Sequence, residues 1–201
     1  MIRIFIMSST EGLAYAETLK ALLEEKFKNL DYEMVLWTSM TMSKGGVAYL
    51  NSLEQQLAIV YGNGKDTRGY AVAMLTPDDD LVYRKKNMKA PRDNVIFEYG
   101  MSVGKLGSTH SFTVSPNEKC NLRKPSDVDG ITDARYMYIK YAKAKNPKFE
   151  SRRRCLLQDA SERIFDWVTR EDKEILPDPI IYDKQEDLEI VNLSGGFRPS
   201  Y

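Results

Sequence analysis

The 201-residue sequence predicts an α/β protein built on a parallel sheet. Short apolar runs of strand length alternate with longer stretches whose apolar residues recur at helical spacing. Most runs give way at once to polar or Gly-rich loop composition. Parallel neighbours need crossover connections, so this alternation implies a sheet with helices on both faces.

The first run, Met1-Ile-Arg-Ile-Phe-Ile-Met-Ser8, is a strand, and Ala16, Leu19, Leu22, Leu23 and Phe27 form the stripe of the first helix. Ser9 or Thr10 is available as its N-cap, and Glu11 is favourable in its first turn. Tyr32 to Trp37 is the second strand, Thr38 to Gly46 a loop, and Val47, Leu50, Leu53, Leu57 and Val60 mark the second helix. Tyr70 to Leu75 is the third strand. Thr76 to Asp93, with Pro77, three consecutive aspartates and Pro91, reads as a long surface connection, a class that is often functional. Asp93 or Asn94 then caps a helix with Val95, Tyr99, Val103 and Leu106 on one stripe, while Gly100, Gly104 and Gly107 leave another face bare. His110 to Val114 is the fourth strand, Ser115 to Asp133 is irregular, and Tyr136 to Tyr141 is the fifth strand. The last helix runs from about Phe149 to Arg170 with Leu156, Ile164 and Trp167 inward.

Five such strands predict the flavodoxin-like member of the doubly wound class, whose ligands bind outside the carboxyl ends of the strands. The segments at those ends are Ser8 to Glu11, Trp37 to Ser43, Thr76 to Asn94 and Ser115 to Asp133. Composition narrows the functions. With 29 Lys+Arg against 29 Asp+Glu the net charge is zero, which argues against a general nucleic-acid binder. Cys120, Cys155 and His110 are too few for a structural zinc site, and the unpaired cysteines suit a reducing compartment. The N-terminal apolar run is too short to span a membrane, so a cytoplasmic protein without membrane partners is expected.

Two nucleotide signatures fail. Gly62-Asn-Gly-Lys-Asp-Thr-Arg-Gly69 lacks P-loop spacing and precedes a strand instead of following one, and no Gly-x-Gly-x-x-Gly follows the first strand. Asp78, Asp79 and Asp80 rank below a solvated loop as magnesium ligands, so no metal site is assigned. The informative stretch is Ala90-Pro-Arg-Asp-Asn-Val-Ile-Phe-Glu-Tyr-Gly100, which sets Glu98 just beyond the first turn of a helix whose exposed amides favour a charged carboxylate, with Arg92 in the same mouth. Spacing alone leaves catalysis and an ordinary helix-end role equally open for Glu98.

Pro91 to Gly100, followed by Gly104-Lys-Leu-Gly107, closely resembles the signature of bacterial TIR-like nucleotide-binding proteins, including the TIR domains fused to bacterial STING proteins in antiphage systems. Phe5-Ile-Met-Ser-Ser9 with Glu11-Gly12, Val35-Leu-Trp37, Leu75-Thr-Pro-Asp-Asp79 and Leu122 to Thr132 match in order, so the resemblance covers roughly residues 1 to 140. It implies a TIR fold and cleavage of the nicotinamide–ribose bond of NAD+, with NAD+ as substrate, no further cofactor and Glu98 as the catalytic residue. Under this resemblance Ser8, Ser9, Trp37 and Thr38 line the pocket, and Arg92, beside Asp93 and Asn94, contacts the pyrophosphate. Asp127 is a weaker candidate in the last loop, and capping is the favoured role of the serines.

The resemblance also implies a homo-oligomer through TIR–TIR contacts and a separate sensor or effector protein as partner. Composition beyond the resemblance divides the chain into a TIR-like NAD-processing domain at residues 1–172 and an acidic, Pro-containing tail or linker at 173–201, preceded by a basic run from Lys143 to Arg154. The competing readings are a stand-alone enzyme making a cyclic or conjugated ADP-ribose signal, a non-catalytic nucleotide- or TIR-binding module, and, ranked last, a deoxyribosyltransferase-like enzyme.

Overall fold

The computed structural model describes residues 1–39, 46–62, 68–117, 120–125, 132–140 and 147–170. In chain order the described elements are β1 (Ile2–Ser8), α1 (Leu13–Phe27), β2 (Tyr32–Leu36), α2 (Gly46–Tyr61), β3 (Arg68–Met74), β4 (Asp79–Tyr83), β5 (Lys86–Ala90), α3 (Asp93–Leu106), β6 (Ser111–Pro116), β7 (Thr132–Tyr136) and α4 (Glu150–Thr169). Five strands form one sheet in the order β2-β1-β3-β6-β7, and every neighbouring pair is parallel. Strand order therefore reverses between β1 and β3, which is the flavodoxin-like switch point.

Alternation along the strands assigns each face of the sheet its helices. Ile2, Ile4 and Ile6 of β1 and Tyr70, Val72 and Met74 of β3 pack with Leu19, Leu23 and Phe27 of α1 and Leu157, Ile164 and Val168 of α4. Phe5, Met7, Ala71, Ala73 and Leu75 face the other way, onto Leu53, Leu57 and Val60 of α2 and Val95, Tyr99 and Leu106 of α3. Because both faces are covered, β1 and β3 are almost entirely buried, which is why they read as continuous apolar runs. The α4 layer is pinned to α1 by the buried Arg153, whose Nε donates to Thr18 Oγ1 at 3.0 Å.

The structure corrects several local expectations. The connection from Thr76 to Asp93 contains the antiparallel β4–β5 hairpin, in register from Asp79 opposite Ala90 to Tyr83 opposite Lys86. Its two turn residues, Arg84 and Lys85, lack the Asn-Gly chemistry that marks such turns in sequence. The last sheet strand is Thr132–Tyr136, not Tyr136 to Tyr141. Thr113 and Ser115 hydrogen-bond Asp133 and so draw this more polar stretch into the sheet, while Tyr138 and Ile139 pack on the core from the loop beyond it. His110 lies in the turn before β6 and not at its head. In α4 the inward face is Leu157, Ile164 and Val168, with Leu156 and Trp167 only partly buried, a phase error of one residue. Leu50 of α2 is exposed. The glycine face of α3 is bare as expected, with no atom near a Cβ at Gly100 or Gly104.

Candidate functional site

At the switch point the ends of β1 and β3 are tied by a directional chain of hydrogen bonds. The Gly12 amide donates to Ser9 Oγ at 2.9 Å, and Ser9 Oγ lies 3.2 Å from Thr76 Oγ1. Thr76 has one hydroxyl proton and gives it to the Asp78 carboxylate at 2.8 Å, so Ser9 is the donor to Thr76. A chain polarised in one direction strengthens each of its members. Gly12 is required by this approach, since a Cβ there would stand 2.8 Å from Thr76 Oγ1. Gly12, not Ser9 or Thr10, occupies the N-cap of α1; Ser9 serves the turn before it, where its hydroxyl and carbonyl both receive the Gly12 amide.

Trp37 follows β2 in a short helical turn with Thr38, which is exposed. Its indole N–H donates to Ser8 Oγ at 3.0 Å, and its ring packs against the core on both faces of the sheet. Trp37 thus spans the end of the sheet and joins β2 to β1.

Helix α3 returns antiparallel to β3, so its N-terminus stands at the same carboxyl edge. Arg92, in extended conformation, takes the N-cap position, one residue before the expected Asp93 or Asn94, because its carbonyl accepts the first helical amide from Val95 at 3.0 Å. Asp93 and Asn94 are exposed in the first turn, where the Asp93 carboxylate suits the helix dipole. Arg92 bridges two loops: one guanidinium nitrogen meets Glu11 before α1, and Nη1 lies 3.1 Å from Asp79 in β4. The Glu11 hydrogen bond, then the charges of Glu11 and Asp79, push the Arg92 pKa up. Asp78, Asp79 and Asp80 have separate partners, in Thr76, Arg92 and Lys89.

Glu98 lies one turn further along α3 and is 5% exposed. It shares the inward face with Val95, Tyr99, Ser102 and Leu106, and the Ser102 hydroxyl donates to its backbone carbonyl at 2.9 Å. An acid buried on an apolar helix face is uncommon and marks a functional candidate. Asp127 lies outside the described residues.

Beyond α3, β6 and β7 carry a second polar cluster that sequence reasoning missed. Asp133 receives hydrogen bonds from Thr113 Oγ1 (2.9 Å), Ser115 Oγ (2.7 Å) and Lys124 Nζ (3.0 Å), with Arg135 Nε also against it. Burial alone would raise its pKa, but the bonds from Ser115, Lys124 and Thr113 outweigh this and hold it below the usual carboxylate range. The only sequence signal was the polar alternation Thr113, Ser115 in an otherwise apolar strand. The Cys120 thiol is pushed up by burial and is therefore a poor nucleophile.

Comparison with known proteins decides the family. The family described as "CAP12/Pycsar effector protein, TIR domain" matches residues 3–138. This chain belongs to that family. The TIR domain is 34% identical over 137 residues to the Pycsar effector protein PaPycTIR of Pseudomonas aeruginosa, covering 68% of this chain and 40% of that protein. It is 35% identical over 130 residues to CD-NTase-associated protein 12 of Flavobacterium daejeonense, covering 65% of this chain and 36% of that protein. The chain thus spans about two fifths of the length of the curated relatives it matches. A solved archaeal flavodoxin aligns over 82% of the chain and 99% of its own length at 11% identity and a TM-score of 0.34; the doubly wound architecture is read from the strand order itself, and the TIR assignment from the family match. Among the described residues no helix is long and apolar enough to cross a membrane.

Proposed function

We propose that this TIR domain cleaves the nicotinamide–ribose bond of NAD+ with Glu98 as the catalytic carboxylate. The observation that supports it most is the burial of Glu98 on the inward face of α3, the helix that starts at the carboxyl edge of the sheet in a TIR-family domain, within the matched residues 3–138. Nicotinamide leaves NAD+ as a neutral base when the glycosidic C–N bond breaks, so its departure consumes no proton. The positive charge then passes to the ribose ring, and a buried carboxylate stabilises that oxocarbenium character. Water completes the reaction, giving nicotinamide, ADP-ribose and a proton. This chemistry needs neither a histidine nor an activated thiol, in keeping with one His and a Cys120 held protonated.

The surroundings suit the two ends of the substrate differently. Glu11, Asp78, Asp79 and Glu98 make the crevice acidic, which favours the cationic nicotinamide end. Arg92 is the handle for the pyrophosphate, and the phosphate oxygens replace Glu11 and Asp79 on its guanidinium. Trp37, fixed by Ser8, supplies a rigid wall.

Under this reading the domain acts in antiphage defence, in the cytoplasm, and assembles through copies of itself, its trigger lying in further sequence or in a separate sensor. The test is nicotinamide release from NAD+ by concentrated protein, compared with Glu98→Ala. Release that vanishes in the variant supports the assignment, and equal rates remove Glu98 from the mechanism. Mass spectrometry of the product separates linear ADP-ribose from a cyclic or conjugated signal. Calorimetric binding of NAD+ with no turnover under any assembling condition favours the non-catalytic module.

A further inference from the structure

We propose that the basic face of the β4–β5 hairpin is a docking surface for this chain's own acidic segment, residues 171–189. The hairpin turn is formed by Arg84 and Lys85, both at positive φ (49° and 66°), a conformation that disfavours L side chains and usually selects Asn-Gly. Two long cations hold these positions, and Lys86 follows directly. The base of the turn is stiffened by stacking, because the Tyr83 ring carries the Arg84 guanidinium at 5.1 Å and that of Arg123 at 4.2 Å. Arg123 is in turn fixed to the hairpin through its backbone, its amide donating to the Lys89 carbonyl at 2.8 Å, while Asn121 Nδ2 donates to the Asn87 carbonyl at 3.1 Å. The cations are thus held close together before anything binds, which lowers the ordering cost of docking.

The acids of the hairpin do not neutralise this face. Asp80 is engaged by Lys89 and Asp79 by Arg92. Among the described residues Arg84, Lys85, Lys86 and Arg123 have no carboxylate partner. A complementary charge exists in the same chain. Residues 171–201 contain eight carboxylates against three cationic side chains, a net of −5, so residues 1–170 carry +5 and the overall neutrality hides a segregation. All eight carboxylates fall within residues 171–189, interspersed with Ile175, Leu176, Ile180 and Ile181, and the hairpin presents Val82 at 72% exposure as an apolar contact.

The reach is sufficient. Helix α4 ends near the amino edge of the sheet, where Trp167 Nε1 donates to the Thr109 carbonyl at 2.9 Å, and the hairpin rises from the opposite edge. Seven-residue strands are about 23 Å long and the five-residue hairpin strands add about 16 Å, a path that about twelve extended residues cover, so Asp183 and the acids after it reach the turn without strain. Tethering supplies an effective concentration of order millimolar, so the contact is intramolecular. Because Asp79 of the same hairpin holds Arg92, the docked segment lies beside the candidate crevice.

Carbodiimide coupling of the full chain, which joins carboxylates to neighbouring amines, followed by mass spectrometry tests this directly. Links from residues 171–189 are expected on Lys85 and Lys86 in the monomer fraction, in excess over Lys20, Lys28 and Lys105. They should fall at least about fivefold between 0.05 and 0.5 M salt, where the screening length drops from about 14 to about 4 Å. The variant Arg84→Gln/Arg123→Gln retains both reporter lysines and should lose the links. Acetylation of Lys85 and Lys86 in an unaltered hairpin should speed up when Asp183, Glu186, Asp187 and Glu189 are changed to Asn or Gln. Links spread evenly over all lysines, links found only between molecules, or acetylation unaffected by the neutralised segment would overturn the proposal.

Discussion

Removing Lys124 as Lys124→Met is the sharpest test of how β6 and β7 are held. The Lys124 side chain is 4% exposed and that of Asp133 is 9% exposed, with 3.0 Å between Nζ and Oδ2. Breaking a buried ion pair from one side costs about 3–5 kcal/mol, because the other charge stays buried. Here Asp133 keeps the hydroxyls of Thr113 and Ser115 and the half-exposed Arg135, whose attraction is screened by solvent. The expected loss is therefore near the lower end, about 3 kcal/mol. With a urea slope of about 2 kcal/mol/M this moves the unfolding midpoint down by about 1.5 M. Asp133→Asn should cost at least as much, since the more deeply buried ammonium loses the carboxylate that meets it at 3.0 Å. The double variant Lys124→Met/Asp133→Leu buries no unpaired charge and should recover to within about 2 kcal/mol of the wild type. A single-variant loss under about 1 kcal/mol, or a double variant no better than the worse single, would refute the reasoning.

The same cluster gives a pH dependence. Asp133 is held below its unfolded value, so its contribution is fully present above about pH 4 and is lost as pH falls through the lower folded value. Urea midpoints between pH 5 and 2 should fall more steeply in the wild type than in Asp133→Asn. Gly12→Ala should destabilise by about 1–3 kcal/mol, because the overpacking against Thr76 at 2.8 Å outweighs the roughly 0.4–1 kcal/mol that alanine gains by restricting the unfolded chain; a higher urea midpoint would contradict this. Arg92→Ala should leave the melting midpoint nearly unchanged while raising KM for NAD+ with little effect on kcat, read from initial rates of nicotinamide release.

The sheet was legible because burial on both faces makes β1 and β3 nearly continuous apolar runs and gives α1 and α3 clear stripes. The misreadings came where tertiary partners override local pattern. β7 is an edge strand whose alternation of buried Ala134 and Tyr136 with Asp133 and Arg135 is too short and too charged to stand out in sequence, and Thr113 and Ser115 recruit it through Asp133. The hairpin was read as loop because Arg84 and Lys85 adopt a turn that sequence normally marks with glycine. At the site, the rule that ligands lie at strand ends marked Ser8 to Glu11, Trp37 to Ser43 and Thr76 to Asn94, and the resemblance singled out Ser8, Ser9, Trp37 and Arg92, all of which lie at that edge; Thr76, the link between β1 and β3, fell inside a marked segment without being singled out. Sequence placed Glu98 beyond the first turn of α3; only the packing of that helix revealed its burial.

The central claim is that Glu98 stabilises charge at the breaking bond, and the most direct measurement is the rate of nicotinamide release by Glu98→Gln, which keeps the shape of the side chain and removes its charge. Circular dichroism should show the same fold in both proteins, and kcat should fall about a hundredfold or more at similar KM. A folded Glu98→Gln protein that releases nicotinamide at the wild-type rate would contradict it.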